Sequence, residues 1–362
     1  MRLKWIFFIF LIGIVGCTST RDLSKGSVSA VPGGSPDGHG LWYNLPRTVI
    51  RVEMEAEKVV VKPGPFYRYS QRLLNITDVK TEPKEEWRIA GASVSTYGKP
   101  DPNRQYRISI EGNPSLAAVS LTSDGILAGI NINGYHSREI TESKQEEVIT
   151  LDNVNFQNVP FTEEQLIKSS TAAMAEEVAK EIYRLRQLRN QLLKGEVEAL
   201  PADEGSYRLA LAEIDRQEKA FMELFTGKEV IQTVKRYYDF VPEEGQTMNT
   251  VLLRFSQQNG FLDPMDMSGT PVYIEVNVDI QQFKNFVAEE SSKSLNTSGL
   301  VYCKPVVAEV KIIDRTLLLT QQEVQLAQFG QLLRLPSGML DQKNVGVVLD
   351  VATGNLIQVF FK

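Results

Sequence analysis

Two cysteines, two histidines and three tryptophans are all that the 362 residues hold of those types. With Cys17 and Cys303 the only thiols, no disulfide framework can staple the chain. With His39 in the expected tether and His136 the only other imidazole, no multi-histidine metal site is expected. Ser-His-Asp and Cys-His catalytic sites are equally hard to assemble, because the base must lie within hydrogen-bond reach of the nucleophile. No P-loop and no dinucleotide-binding glycine pattern occurs, so no cofactor is expected. Lys and Arg total 39 against 45 Asp and Glu, a net charge of -6, and no dense basic stripe lies outside one helix. Nucleic acid is thereby excluded as a general partner, since neutralising phosphates takes a basic footprint. The 42% hydrophobic and 23% charged fractions are those of a folded chain, long enough for two or three domains.

What is present starts at the N-terminus. Arg2 and Lys4 precede an apolar run, Trp5 to Val15, which is shorter than the roughly 20 residues of a spanning helix. Leu11 to Cys17, "LIGIVGC", resembles a bacterial lipobox, with a small residue before the thiol that receives the lipid. Residues 1–16 are therefore expected to be a lipoprotein signal peptide and Cys17 the lipidation site. Several acyl chains on one residue meet the two-signal requirement for stable anchoring. No aspartate follows Cys17 directly and no acidic cluster lies near it, a sorting pattern similar to that of outer-membrane lipoproteins facing the periplasm. Residues 17–40, with "VSAVPGGSPDGHG", read as a flexible tether.

From Leu41 the pattern becomes period two. Ile50, Val52, Met54 and Ala56 alternate with Arg51, Glu53, Glu55 and Glu57, the signature of a half-buried strand. A short helix is expected over Phe66 to Leu74, and strands over Trp87–Ser95, Gln105–Glu111 and Val119–Asn131. Asp124-Gly125 breaks the last of these and suits a type I′ hairpin turn. Tyr135 to Pro160 lacks periodicity and reads as a strap. Strands return at Val230–Val241, Thr250–Ser256, Pro271–Val278, Val306–Leu319 and Val345–Phe361, and the hairpin around Thr353-Gly354-Asn355 echoes the one around Asp124-Gly125.

Between these β regions, Val178, Ile182, Leu185, Leu188 and Leu192 recur at helical spacing, with Ser170 or Thr171 as cap and Gly195 as stop. Tyr207, Leu211, Ile214, Phe221 and Leu224 form a second stripe ending at Gly227. The expected fold is α+β: two β-rich, sandwich-like domains (41–160 and 229–362) joined by a long antiparallel helical hairpin (161–228). Arg184, Arg186 and Arg189 fall outside the first stripe and form a candidate partner-binding face, against the plainer reading of a solvated face paired with acids such as Glu181. Self-association through the hairpin is a further option.

Catalytic residues are not identified. Cys303 sits in the apolar run "GLVYCKPVV" and reads as a buried structural thiol. Carboxylate chemistry needs only two acids, and Asp124, Asp263, Asp266 and Asp341 are the candidates in turns, although turn formation accounts for all four. Asp263 and Asp266 lack the alternating oxygen ligands of a Ca²⁺ loop, so no metal site is assigned.

The lipobox, "YNLPRTVIRVEMEAEK", "MAEEVAKEIYRLR", "PADEGSYRLALAEIDRQEKAFMELFTGK", "AQFGQLLRLP" and the final "TGNL" together resemble an uncharacterised family of Gram-negative envelope lipoproteins, of the Bacteroidales type, known only as a domain of unknown function. The resemblance implies an anchored, β-rich protein and brings no catalytic residues. Cys303 departs from it, since a non-thiol residue is expected there. The functional expectation is a non-enzymatic outer-membrane lipoprotein acting as a binding or assembly module in the cell envelope. Its partners would be the membrane, through the lipid, and an envelope protein. The alternative is a glycan-binding lipoprotein or a carboxylate glycoside hydrolase, with Trp42 and Trp87 as aromatic platforms.

Overall fold

The computed structural model describes residues 28–30, 41–108, 119–132, 147–156, 159–197, 203–243, 248–278, 299–336 and 344–361. The signal segment, Cys17, most of the expected tether, His39, His136 and Asp341 lie outside them. In chain order the strands are β1 (Val28–Ala30), β2 (Leu41–Lys62), β3 (Lys84–Ile108), β4 (Val119–Leu121), β5 (Leu127–Ile130), β6 (Lys228–Phe240) and β7 (Met248–Ser256). They continue with β8 (Gly260–Leu262), β9 (Thr270–Val278), β10 (Gly299–Asp314), β11 (Leu317–Pro336), β12 (Val345–Leu349) and β13 (Leu356–Phe361). The helices are α1 (Ser70–Leu74), α2 (Glu163–Leu166), α3 (Thr171–Lys194) and α4 (Glu204–Thr226).

The named strands form three antiparallel sheets, in the orders β1-β3-β2-β6, β11-β10-β9-β7-β8 and β13-β12-β5-β4. This overturns the expected pair of β domains joined by a helical hairpin. The chain is mostly strand, and the strands before and after the helices share sheets. β6 pairs with β2 from Ile50↔Phe240 to Lys62↔Lys228. β12 pairs with β5, Val347 opposite Ile130. Helical periodicity reports which face of a helix is buried; it carries nothing about which sheet the next strand will join. Val28–Ala30, expected within the tether, pairs with Tyr106–Ile108 of β3.

β2 threads the whole assembly. Its first turns place Tyr43 and Leu45 in one core, with Leu127, Ile130, Val345, Val347 and Leu300. There the buried Tyr43 hydroxyl accepts from Val301 N–H at 3.0 Å, and burial pushes its pKa up. Farther on, Ile50, Val52, Met54 and Ala56 fill a second core against Leu253, Ile274, Val310 and Leu326. Their alternation with Arg51, Glu53, Glu55 and Glu57 is the period-two pattern of a strand with one covered face. Past its end, Phe66 enters a third, helical core.

The β2–β3 ladder is longer than its sequence announces. Gly98, Pro100 and Pro102 read as a break, yet β3 runs through them. Among the described residues only β2 pairs with β3 between Trp87 and Gln105, so a missing N–H on the other side costs no ladder bond there. The single strand expected over Val306–Leu319 is instead a hairpin, turned at Arg315, whose φ is +54°.

α3 and α4 form where their stripes indicate. Ser170 Oγ accepts from Ala173 N–H, Asp203 Oδ1 accepts from Ser206 N–H, and Gly195 closes α3 at φ +73°. Val178, Ile182, Leu185 and Leu192 are buried against Ile214, Phe221, Leu224 and Phe225, while Leu188, expected in the stripe, is exposed. The pair packs on α1 and Phe66 at the far end of β2, and Gly227 (φ +85°) returns the chain into β6. A Cβ there would meet Lys62 O and Lys80. The described part of the strap is tied to the same end. Glu85, which the buried Lys58 ammonium and Leu151 N–H hold below the usual carboxylate range, pins it, and Ile149 N–H reaches Gln232 Oε1 at 2.8 Å.

Candidate functional site

The two hairpins that echo each other in sequence are neighbours in space. Because β5 lies beside β12, the β4–β5 and β12–β13 turns emerge at the same end of one sheet. Each is closed by a short polar side chain and a left-handed glycine. In the first, Ile126 N–H donates to Thr122 Oγ1 at 3.0 Å and Gly125 has φ +83°. In the second, Asp350 Oδ1 accepts from Ala352 N–H, Oδ2 accepts from the Thr353 hydroxyl, both at 2.9 Å, and Gly354 has φ +71°. The expected type I′ turn needs a positive φ at both central residues. Asp124 does not have one, and the turn closes instead through Gly125 N–H to Thr122 O.

β2 holds both turns, the first through its backbone edge and the second through a side chain. Asn44 N–H donates to Gly125 O at 2.9 Å, and four residues on, the Thr48 hydroxyl donates to Ala352 O at 2.9 Å. The neighbouring β3 comes so close that a Cβ on Gly98 would overlap Val351 O. A cleft of about 350 Å³ is left between the two turns and β3. Its walls are Thr96, Tyr97 and Gly98 on one side, Thr122, Ser123 and Asp124 on another, and Val348 to Ala352 on the third. Ile126, Leu349 and Ile357 supply apolar surface.

Tyr97 also belongs to a charged network on the lip. Its hydroxyl donates to Asp239 Oδ2 at 2.5 Å, and the Arg51 guanidinium grips the same carboxylate through Nε (2.8 Å) and Nη2 (3.0 Å). Arg51 lies between the Tyr97 and Tyr237 rings, at 4.9 and 5.7 Å. Burial works to raise the Asp239 pKa, but the bonds from Arg51 and Tyr97 outweigh it and hold the carboxylate below its ordinary range. Tyr97 is pushed up by burial and by that same acid. A depressed folded pKa stabilises the protein above the unfolded value, about 3.9 for aspartate, and that stability vanishes as pH falls through the folded value. The melting temperature of wild type should therefore exceed that of Asp239→Asn at neutral pH, and the gap should close below about pH 4. A gap independent of pH would contradict this account of the network.

The cleft does not assemble a catalytic pair. Asp350 has both oxygens engaged in its own turn, and Asp124, which accepts from the Ser123 hydroxyl at 3.4 Å, is the other carboxylate among its described walls. Asp263 and Asp266 lie elsewhere, closing local turns onto Met265 N–H and Ser268 N–H. Trp87 is buried in the second core beside Lys58, and Trp42 lies under Arg107, so neither is a platform for this cleft. Cys303 is fully buried, its thiol donating to Ala327 O at 3.2 Å. Among the described residues no three His, Cys, Asp or Glu side chains gather as metal ligands.

The arginines of α3 are not brought together. Arg186 Nε donates to Glu218 Oε1 at 2.6 Å and Arg189 Nε to Asp215 Oδ1 at 2.9 Å, so both tie α3 to α4. Arg184 pairs with Glu181 on the outer face. Tyr97, Thr96 and Asp350 carry no sequence signal that would have singled them out; the two glycine turns were the visible part of the site.

The family model described as Domain of unknown function (DUF4831) matches residues 39–357. No curated protein and no solved structure matches the chain.

Proposed function

We propose that the protein, which belongs to the DUF4831 family of unknown function, is a non-enzymatic binding module of the cell envelope. In this reading Cys17 carries the lipid, the body faces the periplasm from the outer membrane, and the two-turn cleft takes hold of the partner. The supporting observation is the cleft itself, a formed cavity with apolar surface whose two described wall carboxylates both accept hydrogen bonds within their own turns, which suits holding a group better than transforming it. Among the described residues no helix is long and apolar enough to cross a membrane. In this reading the N-terminal "LIGIVGC" supplies the address. The cleft replaces the helical pair as the proposed contact element because Arg186 and Arg189 are committed to Glu218 and Asp215.

Replacing Cys17 by serine tests the address. The variant should lose palmitate labelling and retain its signal segment. A Cys17→Ser protein that still takes up palmitate would refute the anchor. In-cell photo-crosslinking from position 123, with position 184 as comparison, then separates a contact at the cleft from one on the helices.

A further inference from the structure

The wall of the cleft formed by β3 differs in kind from the other two. Three consecutive residues, Thr96, Tyr97 and Gly98, line it, so the strand presents its edge as well as a face. On one side this stretch pairs with β2, Thr96 opposite Ile50 and Gly98 opposite Thr48. On the other side β1 joins β3 only at Tyr106–Ile108. Among the described residues no strand pairs with the outer edge at 96–98.

The remaining polar groups of the cleft are largely engaged. Asp350 and the Thr122 hydroxyl serve their turns, and the Tyr97 hydroxyl is given to Asp239. Among the described residues, what stays unpaired is the outer edge of β3, which an extended backbone satisfies best. A sugar, by contrast, is read through free side-chain polar groups and aromatic faces. We infer that the cleft binds an extended polypeptide segment, which adds to β3 at Thr96–Gly98 as a short antiparallel or parallel strand. The inference rests on the proposed binding role of this cleft and names its ligand class.

The rest of the cleft fits such a segment. Alternate side chains of a strand point to one face, and those turned inward would meet Ile126, Leu349 and Ile357, the last 62% exposed. The β12–β13 turn crosses directly over Gly98 and closes that end, so the segment would enter past Thr96. Asp124 at the opposite wall would favour a basic or neutral residue beside the inward-pointing apolar one.

The test uses the full chain in detergent and a displayed library of random dodecapeptides, followed by calorimetry with the selected peptides. Peptides with alternating apolar residues are expected. N-methylation at alternate positions should weaken binding by roughly tenfold for each hydrogen bond it blocks, while methylation one residue over should not. Ile357→Arg and Ser123→Arg, both at the cleft, should abolish binding without lowering the melting temperature; if one of them unfolds, the other decides. No selected peptide, binding insensitive to both variants, or binding indifferent to N-methylation would overturn the inference. Binding of N-acetylglucosamine oligomers that Ile357→Arg removes would overturn it too, while leaving the cleft as a binding site intact.

Discussion

Replacing Gln328 by leucine is expected to destabilise the protein by on the order of 3–6 kcal/mol, the cost of leaving two or three buried polar groups without partners. Gln328 is nearly fully buried at the junction of the two sheet cores. Its Oε1 accepts from Thr48 N–H at 3.1 Å, and its Nε2 donates to Thr48 O (3.1 Å) and Pro242 O (3.3 Å). The side chain thus stands in for a strand neighbour at a point where, among the described residues, β2 has none on that side. The Thr48 hydroxyl completes the knot, accepting from Ala327 N–H and donating to Ala352 O, both at 2.9 Å. Leucine matches the amide in size but can answer none of these groups. Urea unfolding followed by circular dichroism gives the comparison. Thr48→Val should be costly as well, and the double variant should cost less than the two singles together, because they break the same network. Strict additivity would show that the two side chains act independently.

Phe225→Ala should cost about 3–5 kcal/mol, the usual range for emptying a large buried aromatic site. Phe225 is fully buried and its ring lies 5.4 Å from that of Phe66. Where the damage appears is as informative as its size. Phe66 belongs to the connection between β2 and β3, and α4 runs straight into β6, so the helical layer sits on one end of the sandwich. Amide exchange should accelerate most across α3 and α4 and least in β9 and β10. Equal acceleration everywhere would mean that helices and sheets open as one unit.

Local features of this chain were legible where one element decides its own pattern. The alternation of Ile50 to Glu57 marked a strand with one covered face, and Ser170 and Gly195 marked the limits of α3. Leu188 misled because its spacing fits a stripe whose neighbouring helix does not reach it. Trp87 was expected as a surface platform, yet its side chain lies on the inner face of β3, which alternation at the end of a strand did not reveal. Pairing between distant segments left no trace. Arg186 and Arg189 looked free because Glu218 and Asp215 meet them only once the antiparallel register of α3 and α4 is set. The two glycine turns were visibly alike, but nothing in either stretch stated that β5 and β12 would lie side by side. Tyr97 and Asp239 are 142 positions apart and meet only because both neighbour β2.

The hydroxyl of Thr48 reaches a carbonyl 304 positions farther along the chain. Contacts of such sequence separation form slowly, because the entropy of closing a long loop is lost before any bond repays it. A chain emerging N-terminus first can build the β2–β3 ladder early, while the β12–β13 hairpin follows all the other described strands in sequence. The two-turn cleft, which needs β12 beside β5, therefore forms after the ladder on which it rests.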